Sequence, residues 1–155
     1  MAGGDAADML PPLHGGEGAS ADVDADTDAP VTWPLTSRGF LTQPLLAGDA
    51  GRGRHPGIDV AVPAGSYFRA AGGGTVVEAG WDDVYGWFVR LDHGGGLETL
   101  YAHAALLVVR EGERVFPGEV LGLTGSTGQS TAPHLHFELL AEGSPVDPLD
   151  RLDRP

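Results

Sequence analysis

The stretch that decides the fold, residues 87–103, reads WFVRLDHGGGLETLYAH. Two runs rich in β-branched and aromatic residues, 87–93 and 97–103, flank three consecutive glycines, and such runs are typical of short strands. Glycine tolerates the positive φ angles that a tight connection demands, so the glycine triplet 94–96 is predicted to be a hairpin loop. The stretch therefore predicts two antiparallel strands joined by a tight turn.

The rest of the folded part continues this pattern. Further strands are predicted over 75–79, over 134–140 and over the alternating residues Ile58, Val60 and Val62. Long helical periodicity is absent, and only residues 102–109 and the end near Leu149 leave room for a turn or two of helix. The predicted fold class is therefore all-β: a compact antiparallel β-sheet or sandwich-like domain with little helix.

Composition divides the chain into two parts. The first thirty residues contain seven acids and no Lys or Arg, about half of the formal charge of −13. Their Ala, Gly and Asp content offers little apolar surface to offset the ordering entropy, so residues 1–30 are predicted to be a disordered acidic tail. Residues 31–155 are long enough to bury roughly two thirds of their unfolded surface, and we predict that they form one domain. The chain has no cysteine, which excludes a disulfide framework and a thiolate metal site.

The charge balance argues against a nucleic-acid partner. The cations of the chain are nine arginines without a cluster, whereas phosphate binding needs a clustered basic face. No apolar run is long enough to span a membrane, so we predict no transmembrane segment, and we expect a monomer. Residues 1–8 lack the basic start and the apolar stretch of a signal peptide. If the protein acts outside the cell, two routes stay open: an export signal removed from this chain, or release through phage assembly or lysis.

Four of the six histidines lie in three short segments, together with Asp59. The segments are His55 to Asp59, Tyr101 to His103 and His134 to His136. Residues i and i+2 of a strand point to the same face about 7 Å apart, so His134 and His136 can face one cavity. We predict that one of this pair binds a metal and that the other acts on substrate.

The first segment supplies two ligands only if the chain bends. On a straight strand His55 and Asp59 would lie about 13 Å apart, too far for two ligands at roughly 2 Å from one ion. Pro56-Gly57 argues against a helix, so a turn is predicted there. Catalytic zinc usually takes three ligands from His and Asp or Glu and leaves a fourth position for water. His55, Asp59 and one histidine of the pair would supply that set.

A series of motifs runs in order from about Trp33 to Pro148. They are His55-x-Gly57-Ile58-Asp59, Ala64-Gly65, Gly74-x-Val76, Tyr85-Gly86, His93, Tyr101-x-His103, Gly112-x-x-Val115, Pro117-Gly118, Gly125-x-Thr127-Gly128 and His134-Leu135-His136-Phe137-Glu138. In spacing and order this series resembles the lysostaphin-type, LytM-like zinc metallopeptidases, a family of peptidoglycan endopeptidases. The resemblance implies that His55, Asp59 and His136 bind one zinc ion per chain. It also implies that His103 and His134 are catalytic histidines. Either of them could accept the proton of the attacking water.

The resemblance carries a function with it. It implies a zinc-dependent endopeptidase that hydrolyses peptide cross-links or stem peptides of bacterial peptidoglycan. Such an enzyme acts outside the cytoplasm, whether secreted, periplasmic or associated with the cell wall. The alternative is a non-catalytic LytM-like module that binds cell wall or activates another hydrolase; such modules typically lose zinc ligands, whereas all three expected ligands stand here.

Other classes of site fit the sequence less well. The glycine-rich loop 125–128 lacks the Lys of a Walker-type phosphate loop, and the chain has no Lys at all. The spacing from Gly128 to His134 and His136 resembles the first cupin motif, but no histidine follows to complete a cupin metal site. A metallopeptidase site is therefore favoured over both.

Three further polar residues have open or structural interpretations. His93 shares its strand face with apolar residues, which favours a packed, hydrogen-bonded histidine. Tyr101 either lines the groove or packs in the core. Glu138 has the parity of His136, so it is either a partner that orients this histidine or a surface carboxylate.

Overall fold

The computed structural model describes residues 31–46 and 55–153, so the predicted acidic tail, residues 1–30, lies outside the described residues. The strands are β1 (Val31–Thr32), β2 (Phe40–Gln43), β3 (Ile58–Ala61), β4 (Tyr67–Arg69), β5 (Gly74–Asp82), β6 (Gly86–Gly94), β7 (Leu97–Leu107), β8 (Arg114–Val115), β9 (Val120–Thr124), β10 (His134–Ala141), β11 (Ser144–Val146) and β12 (Leu152–Asp153). A single turn of 3₁₀ helix, Pro148–Asp150, precedes the last strand.

Ten of the strands form one antiparallel sheet. They run in the order β2-β3-β10-β7-β6-β5-β8, with β11 beside β10 and with β9 joining β7 to β4. The other two, β1 and β12, form a short parallel pair. The hairpin β6–β7 is the one that the glycine triplet predicts, and residues 94–96 all have positive φ. The prediction of an all-β antiparallel fold is confirmed.

The core lies against one face of the central strands. Leu135, Phe137 and Leu139 of β10 are fully buried in it. Because successive side chains of a strand point to opposite faces, His134 and His136 face away from these apolar residues. The strand that builds the core thereby carries two histidines to the other side of the sheet.

The second half of β7 corrects one expectation. The expectation that residues 102–109 could form a helical turn is wrong, because the strand continues to Leu107. Ala102 pairs with β10 and residues 104–107 pair with β9, so neighbouring strands satisfy the backbone groups that a helix would pair internally. The turn expected near Leu149 is present as the 3₁₀ helix. Within the described ranges, no helix is long and apolar enough to cross a membrane.

Candidate metal centre and its histidines

A bend before β3 brings His55 back to Asp59. Gly57 approaches β10 so closely that a Cβ atom there would collide with the carbonyl group of Phe137. Only glycine fits at this position, and the chain turns over it. His55 Nε2 lies 3.2 Å from Asp59 Oδ2. The turn predicted at Pro56-Gly57 is confirmed.

The pairing of β3 with β10 brings in the third side chain. His136 lies opposite Asp59 in this antiparallel register, and its Nδ1 is 2.7 Å from Asp59 Oδ1. One ligand atom from each of His55, Asp59 and His136 lies within 4.8 Å of the other two. Three such atoms could hold a metal ion between them.

Each imidazole of this group is fixed by a partner on its far side. His55 Nδ1 donates to the carbonyl oxygen of Pro44 at 3.0 Å. His136 Nε2 lies 2.8 Å from Oε2 of Glu138, which is buried. These contacts leave Nε2 of His55 and Nδ1 of His136 directed at Asp59, so the nitrogens that converge are set by the outer contacts. Glu138 is therefore a partner of His136 and not a surface carboxylate.

The electrostatics of the group favour a positive charge at its centre. Burial lowers the pKa of His136, but hydrogen bonds with Asp59 and Glu138 outweigh burial and raise it to about 9. Burial raises the pKa of Asp59, yet the hydrogen bond and the charge of His136 bring it below its ordinary value. One buried carboxylate, Glu138, and one partly buried carboxylate, Asp59, thus flank a single imidazole and favour a cation at this point.

His103 stands at an irregular point of β7. Its φ is 68°, in the left-handed region of backbone conformation that residues other than glycine rarely adopt. The strand registers of β7 with β6 and of β7 with β9 both shift next to this residue. Its backbone N–H donates to Tyr85 O at 2.7 Å, and its Nδ1 donates to Thr127 O at 2.7 Å. The ring centroid then lies 4.7 Å from that of His134 and 5.9 Å from that of His136.

His134 occupies the remaining side of the cluster. Its Nδ1 donates to Ala132 O at 2.9 Å and lies 3.2 Å from Ser130 Oγ. Its Nε2 is 3.6 Å from Asp59 Oδ1, beyond hydrogen-bonding distance. All five residues singled out in the sequence are therefore brought together, and His134 stands back from the carboxylate that His136 contacts.

Two residues with open interpretations belong to the core. His93 is buried, as its strand parity predicts, and it bonds Gly73 O at 2.7 Å and Thr99 Oγ1 at 2.8 Å. Tyr101 is fully buried, and its hydroxyl accepts from Ala71 N at 2.9 Å. Tyr101 therefore packs and does not line a groove.

Two contributors to the site are missed by sequence reasoning. Tyr85 supplies the carbonyl that holds His103 and a hydroxyl 2.6 Å from Glu138 Oε2. Thr127 supplies the second carbonyl that holds His103, and its hydroxyl donates to Ala104 O at 2.6 Å. Both lie in the motif series, but their contacts join segments about 20 residues or more apart, which local patterns do not reveal.

Comparison with known proteins shows that the chain is similar to peptidases. The family model described as peptidase family M23 matches residues 53–148. The chain is 46% identical over 95 residues to the DD-carboxypeptidase/endopeptidase Mpg of Neisseria meningitidis serogroup B, a stretch that covers 61% of this chain and 22% of that protein. The chain thus spans about a fifth of the length of the curated relatives that it matches.

Two solved structures have the same architecture. A zinc-containing peptidase from Vibrio cholerae matches with a TM-score of 0.72 and 29% identity, over 83% of this chain and 41% of that one. The catalytic domain of the antimicrobial peptidase lysostaphin from Staphylococcus simulans matches with a TM-score of 0.61 and 34% identity, over 72% of this chain and 87% of that one. Both are peptidases by name.

Proposed function

This chain belongs to peptidase family M23, and we propose that it is a zinc-dependent endopeptidase that hydrolyses peptide cross-links or stem peptides of bacterial peptidoglycan. The observation that carries the proposal is the convergence of His55, Asp59 and His136 on one point, with the rings of His103 and His134 beside it. In this proposal the first three residues bind the metal and the other two are catalytic.

The donor set suits zinc. Two imidazole nitrogens and one carboxylate oxygen, with a position left for water, form a set that catalytic zinc sites use. The outer contacts of His55 and His136 hold the two converging nitrogens in place, as is usual for zinc-binding histidines. We propose one zinc ion per chain.

The two remaining histidines handle protons. Zinc bound in this site would polarise the scissile carbonyl and lower the pKa of its water to about 7. Burial lowers the pKa of His103, which favours the neutral ring, and its Nδ1–H is donated to Thr127 O. Nε2 of His103 is then a free acceptor, and His134 is held in the same tautomer by Ala132 O. The two rings share removal of the water proton and hydrogen bonding to the developing oxyanion.

Peptidoglycan is the proposed substrate because a relative from Vibrio cholerae, 39% identical over 93 residues, is named a peptidoglycan DD-endopeptidase. Peptides with D-residues are therefore the first substrates to test. Since peptidoglycan lies outside the cytoplasmic membrane, we propose that the enzyme acts there, whether secreted, periplasmic or associated with the wall.

Digestion of purified walls tests the proposal. Walls with direct stem cross-links and walls with glycine bridges are incubated with the zinc-loaded chain, and new termini are identified by mass spectrometry. We expect cleavage of one type of peptide bond, its loss with a chelator and its return with zinc. Metal analysis should find about one zinc per chain. A folded chain that takes up no zinc would overturn the proposal and favour the non-catalytic module, and a zinc-loaded chain that cleaves neither wall would refute the substrate.

A further inference from the structure

A buried chain of polar groups leads away from the candidate ligand His136. Glu138 is only 4% exposed, and its Oε2 lies 2.8 Å from His136 Nε2. The same oxygen accepts a 2.6 Å hydrogen bond from the hydroxyl of Tyr85. The Tyr85 ring stacks on the His136 ring with 5.7 Å between centroids. The carboxylate is thus held between an imidazole and a phenol.

Burial of this carboxylate costs free energy of desolvation, which its hydrogen-bond partners must offset. A charged carboxyl removed from water is unfavourable unless it is paired and hydrogen-bonded. The Tyr85 hydroxyl and His136 Nε2 supply these partners, at 2.6 Å and 2.8 Å from the same carboxylate oxygen. Both of these partners belong to the candidate site.

We propose that Glu138 and Tyr85 are positioning residues that orient His136 for metal binding. The Glu138 carboxylate accepts the Nε2 proton, so Nδ1 is left as the free nitrogen directed at Asp59. The Tyr85 hydroxyl holds the carboxylate in that place. This inference rests on the proposed function, because zinc is the ion expected between the ligands.

Tyr85 also connects the two halves of the site. Its backbone carbonyl accepts the N–H of His103, while its side chain reaches Glu138 and His136. Replacement of the hydroxyl alone leaves the backbone contact in place. A Tyr85→Phe variant therefore reports on the side-chain contact without removing the support of His103.

Zinc affinity of the full chain, measured by competition with a chromogenic chelator, tests the proposal. Glu138→Gln keeps the size and an acceptor oxygen but removes the charge, so the zinc dissociation constant should rise roughly 10- to 100-fold. Tyr85→Phe should raise it by a smaller factor. Since the two act through one imidazole, the double variant should lose less affinity than the product of the single losses.

Two control variants separate positioning from general destabilisation. Tyr101→Phe removes another buried hydroxyl, which accepts from Ala71 N and contacts Thr99, away from the candidate ligands. Glu98→Gln removes a carboxylate that pairs with Arg90. Tyr101→Phe should lower the stability of the metal-free chain, and both controls should bind zinc like the wild type.

The outcomes are distinct. Wild-type zinc affinity in both Glu138→Gln and Tyr85→Phe would overturn the positioning role while the proposed function stands. The positioning role would also be overturned if zinc affinity fell in proportion to the stability of the metal-free chain in every variant, Tyr101→Phe included. A wild-type chain that binds no zinc would refute the proposed function itself. If Glu138→Gln does not fold, Tyr85→Phe and its control Tyr101→Phe still decide the question.

Discussion

At the scale of single residues, the two histidines of β10 share a face but have different neighbours. His136 Nδ1 lies 2.7 Å from Asp59 Oδ1, whereas His134 Nε2 lies 3.6 Å from the same oxygen. His136 is backed by the buried Glu138, while His134 is backed by the carbonyl of Ala132. These contacts support the proposed division, in which His136 binds the metal and His134 acts on substrate.

Alanine replacements of this pair should have different effects. His136→Ala removes one of three proposed ligands, so zinc affinity and activity should both collapse. His134→Ala leaves the ligand set intact, so zinc should stay bound while turnover falls roughly 100-fold or more. Metal analysis after dialysis and the rate of wall cleavage measure the two effects.

His103→Ala serves as the companion to His134→Ala, because both remove a ring that is not a proposed ligand. It should retain zinc and lose turnover to a similar extent. If instead zinc were lost from His134→Ala and kept in His136→Ala, the roles within the pair would be reversed.

His93 makes the stability of the fold depend on pH. Burial lowers the pKa of His93, despite the hydrogen bond to Gly73, so the folded chain resists its protonation. The unfolded chain binds a proton near pH 6.5, so stability from this residue is present above that pH and lost as pH falls through the lowered folded pKa. Between pH 7.5 and 5.5, the free energy of unfolding measured with urea should fall more in the wild type than in His93→Gln. Equal pH slopes in the two proteins would rule this effect out, since the other histidines are common to both.

At the scale of elements, the start of β6 is locked against the loop that holds His103. Gly86 has φ 68°, and a Cβ atom there would collide with Thr127. Trp87 N also donates to Thr127 Oγ1 at 3.1 Å. The close approach of the two backbones is thus part of what fixes both carbonyls around His103.

Gly86→Ala should therefore disturb the site as well as the fold. The new methyl group would push Thr127 away, so turnover should fall roughly 10-fold or more while zinc stays bound. Stability should fall by about 1 kcal/mol or more. Gly112→Ala is the matched control, because Gly112 has φ 93° but nothing within 4 Å of the added atom. It should cost stability through backbone strain alone and leave turnover unchanged. Comparable turnover losses in the two variants would show that the contact with Thr127 is not what matters.

At the scale of the whole molecule, we propose that the acidic first part of the chain does not contribute to the folded domain. Residues 1–30 carry seven acids and lie outside the M23 match, which covers 53–148. We propose that residues 31–155 fold on their own. Deletion of residues 1–29 should leave the melting temperature and turnover nearly unchanged. Thermal unfolding and wall cleavage test this, and a large drop in either would mean that the tail packs on the domain.

Much of the fold and of the candidate site could be predicted because it depends on neighbours in the sequence. Side-chain alternation places His134 and His136 on one face, and glycines at 94–96 form the predicted hairpin. The helical turn within 102–109 fails for the opposite reason. Residues 102–107 stay extended because they pair with β9 and β10, which are distant in the chain.

The sequence by itself determined the all-β class, the bend that returns His55 to Asp59 and the residue types of a metal site, because each follows from parity or from backbone restrictions within a few residues. Only the tertiary structure decided which histidine of the pair contacts Asp59, since that depends on the register of β3 against β10. It also decided the left-handed backbone of His103 and the burial of Glu138 beneath Tyr85. Contacts between distant segments produce these features, and no local pattern records the register in which distant strands meet.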